Sequence, residues 1–92
     1  MLEELYVIVH GNVQGVGFRA TAKQSAEKLQ LSGYVCNLPD GGVELCAQGP
    51  KEKLEELVKQ LKRVFGKEYI LNLEITYRKA TSIYPDFQIK RN

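Results

Sequence analysis

"LYVIVHGNVQGVGFRATAKQSAEKL" spans Leu5 to Leu29, and two different periods meet inside it. Leu5 to His10 is a β-branched and aromatic run of strand length. Both faces of that run are largely apolar, as in a strand with neighbours on either side. From Phe18 the repeat changes. Phe18, Ala22, Ala26 and Leu29 fall on one helical face, and Gly33 offers a stop. Between strand and helix stand Gly11, Gly15 and Gly17, more backbone freedom than an ordinary turn requires.

Downstream, "GYVCNLPDGGVELCAQG" (Gly33 to Gly49) reads as two strands around a turn. Pro39 sets φ, and Asp40-Gly41-Gly42 tolerates positive φ. Val43, Leu45 and Ala47 alternate with Glu44, Cys46 and Gln48, the pattern of a half-buried strand. Pro50 stands where helices begin. Leu54, Leu57, Val58, Leu61, Val64 and Phe65 then form an apolar stripe that Gly66 ends. Leu71, Leu73, Ile75 and Tyr77 alternate with polar residues in a one-sided strand, and Asp86 to Lys90 gives a short last strand with Phe87 and Ile89 inward. The order is βαββαβ plus a short terminal strand. It predicts an α+β, ferredoxin-like sandwich, a mainly antiparallel sheet with two helices on one face.

The 92 residues suffice for one domain, residues 1–92. With 43% hydrophobic and 26% charged residues the composition is that of an ordered globule. A net charge of +2 lacks the concentrated basic stripe of a nucleic-acid binder, so an anionic ligand must be met by a local site. The start of the chain reads as neither a signal peptide nor a membrane span. Two cysteines, Cys36 and Cys46, and one histidine supply neither a disulfide framework nor a metal cluster. The expected setting is a monomer in a reducing cytoplasm, with no membrane or nucleic-acid partner.

The glycine loop carries the chemistry. A helix N-terminus presents unpaired amides and about half a positive charge. Glycines let several amides converge into an anion nest, and Arg19 in the first helical turn adds a planar two-pronged donor. Inorganic phosphate or sulfate is a natural occupant. No Gly-Lys-Ser/Thr follows, so this is not a Walker A loop. The loop holds no cysteine for a phosphocysteine, no carboxylate for an aspartyl phosphate and no general acid. What remains is positioning and electrostatic stabilisation of direct attack by water, which suits a leaving group that needs no proton. A right-handed crossover makes the first two strands parallel. That brings Asn37, at the end of the second, to the same sheet edge, about 10 Å away if one strand intervenes. Parity with Val35 turns Asn37 to the helix side. Its amide has no useful pKa, so its role is to orient a water.

Taken together, "GNVQGVGFR" and the hairpin stretch resemble the acylphosphatase family in order and spacing, over nearly the whole chain. The resemblance implies hydrolysis of the carboxyl–phosphate bond of acyl phosphates without metal or organic cofactor. It puts the phosphate-binding arginine at Arg19 and the water-positioning asparagine at Asn37. The phosphate cradle falls on the backbone of Val13, Gln14, Gly15, Val16, Gly17 and Phe18. Cys36 stands where the family often has a basic residue. Rival readings are a non-catalytic anion sensor built on the same nest, and an RNA-binding sheet. The latter needs stacked aromatics on its central strands, which Val43 to Ala47 lack.

Overall fold

The computed structural model describes residues 2–91. Its elements are β1 (Glu3–Gly11), α1 (Phe18–Lys28), β2 (Ser32–Asn37), β3 (Val43–Gly49), α2 (Lys51–Tyr69), β4 (Ile70–Lys79) and β5 (Phe87–Lys90). The strands form one sheet in the order β4-β1-β3-β2-β5. β3 pairs antiparallel with both β1 and β2, β4 antiparallel with β1, and β5 parallel with β2. β1, β2 and β5 therefore all point the same way, and their C-terminal ends share one sheet edge. This is the ferredoxin-like α+β sandwich.

Alternation sorts the two faces. Leu5 pairs with Ala47, Val7 with Leu45 and Val9 with Val43, while Val35 meets Leu45 from the other side. All seven are buried beneath the helices. Phe18, Ala22 and Ala26 cover them from α1, and Leu54, Leu57, Leu61 and Phe65 from α2. Phe18 and Phe65 tie the helices together with ring centroids 4.8 Å apart. Full burial of one such ring stabilises by about 1.5–3 kcal/mol.

Four details depart from the pattern read in the sequence. α1 stops at Lys28, not at Gly33. Gln30 takes the left-handed conformation (φ 60°), and its amide donates to Glu27 O (3.0 Å) while the Leu31 amide donates to Ala26 O (2.9 Å). That is a Schellman ending with glutamine in the usual glycine position, fastened by the buried Leu31. Gly33 is instead a strand residue, where an added Cβ would stand 1.9 Å from the Cys46 carbonyl oxygen. On α2, Val64 is exposed; Gly66 (φ 60°, ψ −164°) does end the long regular stretch, and three further helical residues reach Tyr69 beyond the kink. β4 is an edge strand whose Leu71, skipped where the β1–β4 register shifts between His10 and Gly11, is 75% exposed.

The fourth departure is β3, buried on both faces. The 80–86 segment folds across the side of the sheet away from the helices. Gln48 Nε2 donates to Ser82 O (2.6 Å) and to Glu4 Oε1 (2.8 Å), and Gln48 Oε1 accepts from the Tyr84 amide (3.1 Å). Arg78 Nε donates to Glu4 Oε2 (2.6 Å). Burial pushes the Glu4 carboxyl up, but the hydrogen bonds from Gln48 and Arg78 outweigh it and hold the pKa below the usual range. Cys36 and Cys46 share this face as free thiols. Cys46 pairs with Tyr34 and Cys36 with Glu44, so the cysteines are diagonal neighbours, about 7–8 Å apart and beyond easy disulfide reach.

Candidate active site

Residues 12–17 connect β1 to α1. Gly15 (φ 80°) and Gly17 (φ 82°) both lie in the left-handed region, where an L side chain costs about 1–2 kcal/mol. Gly17 is the N-cap of α1. No side chain caps the helix, and no acidic residue stands in its first turn, so the positive end of the helix is not neutralised locally. Two buried side chains hold the loop from below: Val13, and Phe18 against Phe65. Val16 points outward.

A third tether comes from Gln14. Its Nε2 donates to Leu38 O and to Gly42 O, each at 2.8 Å. Those carbonyls belong to the β2–β3 turn, which closes with Leu38 N to Gly42 O (2.9 Å) and Gly42 N to Asp40 Oδ1 (3.0 Å). The glycine loop and the hairpin turn are thus bonded directly across the end of β3. Only the backbone of Gln14 was expected to matter.

Asn37 is the last residue of β2, opposite Val43. Val35 and Val43 face the helices, so Asn37 is turned to that side, half-buried. A cleft of about 210 Å³ opens at the start of α1, lined by Val13, Gly15, Gly17, Phe18, Arg19 and Ala20, with Ile89 and Arg91 from the end of the chain. Asn37 is not part of this lining. Burial and then Glu44 push the Cys36 thiol pKa up, and the charges of Lys90 and Arg19 oppose them. Cys36 itself lies on the sheet face away from the helices, where its Sγ donates to Glu44 Oε1 (3.6 Å). His10 faces that side too and contacts the Glu74 carboxylate of β4.

Two contributions to the cleft escaped the sequence reading. Ile89 and Arg91 reach it because β5 runs parallel to β2, a pairing that four strand residues do not announce. A larger groove of about 540 Å³ lies between the end of α2 and β4, lined by Lys62, Gly66, Lys67, Ile70, Leu71, Asn72, Leu73 and Ile75. It lacks the glycine loop and Arg19. Among the described residues, no three His, Cys, Asp or Glu side chains gather to hold a metal ion, and no helix is long and apolar enough to cross a membrane.

Fold and cleft place the chain among small α+β proteins with a cationic cleft at a helix start. Residues 5–89 match the family model for acylphosphatase. An acylphosphatase from Thermus thermophilus is 53% identical over 62 residues, 67% of this chain and 70% of that one. The crystal structure of acylphosphatase from Bacillus subtilis superposes with a TM-score of 0.88 at 34% identity, covering 98% of this chain and 99% of that one. An acylphosphatase structure from Coxiella burnetii gives 0.85 at 34% identity, covering 97% and 93%. The chain belongs to the acylphosphatase family. It is a hydrolase, and its substrate is a small-molecule acyl phosphate.

Proposed function

We propose that the amides of Val13 to Phe18 and the Arg19 guanidinium hold the phosphoryl group of the acyl phosphate, while Asn37 orients the attacking water. The observation that carries this reading is the cleft itself: two left-handed glycines and Arg19 meet at an uncapped helix N-terminus. Convergent amides and a fixed guanidinium match the equatorial oxygens of a phosphoryl group in transfer.

The reaction needs little else. The water oxygen bonds to phosphorus as the bond between phosphorus and the acyl oxygen breaks, and that electron pair leaves on the carboxylate. An acyl phosphate dianion and water give a carboxylate and dihydrogen phosphate, so both protons of the water end on phosphate. A carboxylate, whose conjugate acid has a pKa of about 4, departs without a proton. That removes the need for a general acid. Asn37 can accept from the water through Oδ1 and donate through Nδ2, fixing its orientation without taking its proton.

Inorganic phosphate or sulfate occupies the same nest in this reading. Residues 1–92 act as one domain and a monomer, and two free thiols accord with a reducing cytoplasm. The experiment is a benzoyl phosphate assay on the purified protein with Arg19→Ala and Asn37→Ala beside it. Wild type releases benzoate well above background and each variant loses most of that rate while remaining folded. Wild-type activity in the Asn37→Ala protein would overturn the water-orienting role. Size-exclusion chromatography tests the monomer.

A further inference from the structure

The cleft holds more positive charge than a phosphoryl group needs. The loop amides, the helix terminus and Arg19 already meet the phosphoryl dianion. Arg91 adds a second guanidinium, and none of the lining residues is acidic. Among the described residues no carboxylate lies within ion-pair distance of Arg91. Its placement follows from topology. β5 pairs parallel with β2, Lys90 stands beside Cys36, and Arg91 therefore follows at the edge where Asn37 ends β2. Ile89, two residues earlier, faces the core side and supplies an apolar wall of the same cleft.

With the phosphoryl group seated on the loop and Arg19, the acyl group extends along the rest of the cleft, past Ile89 to Arg91. We propose that Arg91 determines specificity on the acyl side. It receives a second anionic group, carboxylate or phosphate, on the acyl chain, so that doubly anionic acyl phosphates are preferred over neutral ones. This rests on the placement of the phosphoryl group given above. Arg91 is exposed, so its contribution is modest and screened by salt.

The test compares para-carboxybenzoyl phosphate with para-carbamoylbenzoyl phosphate, which matches it in size but lacks the charge. Wild type should favour the carboxylate roughly fivefold to tenfold in kcat/KM, chiefly through KM, as expected of one partly exposed charge-assisted contact. The ratio should fall as ionic strength rises. Arg91→Gln should bring it to about one, and Arg91→Lys should keep part of it. Equal wild-type values for the two substrates, or a preference that survives in Arg91→Gln, overturns the proposal. So does an equal loss on both substrates in Arg91→Gln, which would assign Arg91 to the phosphoryl group instead. Failure of wild type to hydrolyse even benzoyl phosphate would overturn the placement of the phosphoryl group itself, a result distinguishable from all of these.

Discussion

Gln14→Ala tests whether the two halves of the site depend on one side chain for their spacing. The substitution removes two neutral amide-to-carbonyl hydrogen bonds, each 2.8 Å long. Such bonds contribute about 0.5–1.5 kcal/mol net apiece. Neither acceptor is orphaned, since Gly42 O still accepts from Leu38 N (2.9 Å) and Leu38 O from Gly41 N (3.2 Å). One of the two is solvent-exposed, so the expected loss of stability lies near the low end, about 1–2 kcal/mol. For a domain of this size that lowers Tm by roughly 5–10 °C. The effect on catalysis should be larger. A misplacement of about 1 Å between the phosphoryl group and the oriented water costs on the order of 100-fold. Gln14→Ala should therefore lower kcat on benzoyl phosphate by about tenfold to 100-fold at a temperature where the variant is fully folded.

Gln14→Glu sharpens the test. An ionised carboxylate cannot donate, and it would face two carbonyl oxygens, so this variant should be less stable than Gln14→Ala at neutral pH. Protonation restores one donor. Repulsion from the carbonyls raises the introduced carboxyl above its ordinary value of about 4.3, so its deficit relative to Gln14→Ala should close as pH falls through that raised value. Thermal melts across pH read the crossing. A Gln14→Ala protein with wild-type kcat and Tm would refute the reasoning, because the loop and the hairpin would then hold their spacing without the bridge.

Arg19→Lys should lose on the order of 100-fold to 1,000-fold in kcat on benzoyl phosphate with an unchanged circular dichroism spectrum, since a point charge does not replace the guanidinium fork; activity within a few-fold of wild type would remove the bidentate role. Gly33→Ala should cost more than about 3 kcal/mol and abolish a cooperative melt, because its Cβ would meet the Cys46 carbonyl oxygen at 1.9 Å. Gly41→Ala, at φ 96° with nothing within 4 Å, should cost only about 1–2 kcal/mol, and equal losses in the two proteins would show that backbone strain, not contact, governs Gly33. Glu4 has a folded pKa below its unfolded one, so its contribution is complete above the ordinary carboxylate range and fades as pH falls through the lowered value. Urea titrations should show the stability gap between wild type and Glu4→Gln narrowing toward acid pH, and a gap independent of pH would contradict the assignment.

The sandwich was legible because its core repeats locally. β1, α1 and the hairpin each carry their period in consecutive residues, and the parallel relation of β1 and β2 follows from the crossover alone. What escaped was set by contacts distant in sequence. Gln30 ends α1 in a left-handed conformation that glutamine does not advertise, and the buried Leu31 makes that ending affordable. Gln48 reads as an outward strand residue until Ser82 and Tyr84 arrive on the same face. β4 has the alternation of a half-buried strand, but an edge position leaves Ile75 40% exposed, and a register shift against β1 turns Leu71 out to 75%.

The candidate site divides the same way. Arg19 and the glycines announce themselves because they are adjacent, and an anion nest is a local object. Asn37 needs one topological step, the parallel pairing across β3. Gln14 and Arg91 need more, since their parts depend on which carbonyls the hairpin turn leaves facing the loop and on β5 joining β2 in parallel. The division has a functional consequence. If the phosphoryl group is handled by what is local and the acyl group by what arrives from afar, substitutions at the end of the chain should alter which acyl phosphate is preferred. Substitutions in the loop should alter whether any is hydrolysed. Exchanging residues 89–91 between members of the family and comparing their substrate ratios separates the two. A swap that changes the rate on every substrate by one factor would show that the two ends of the cleft act as a single unit.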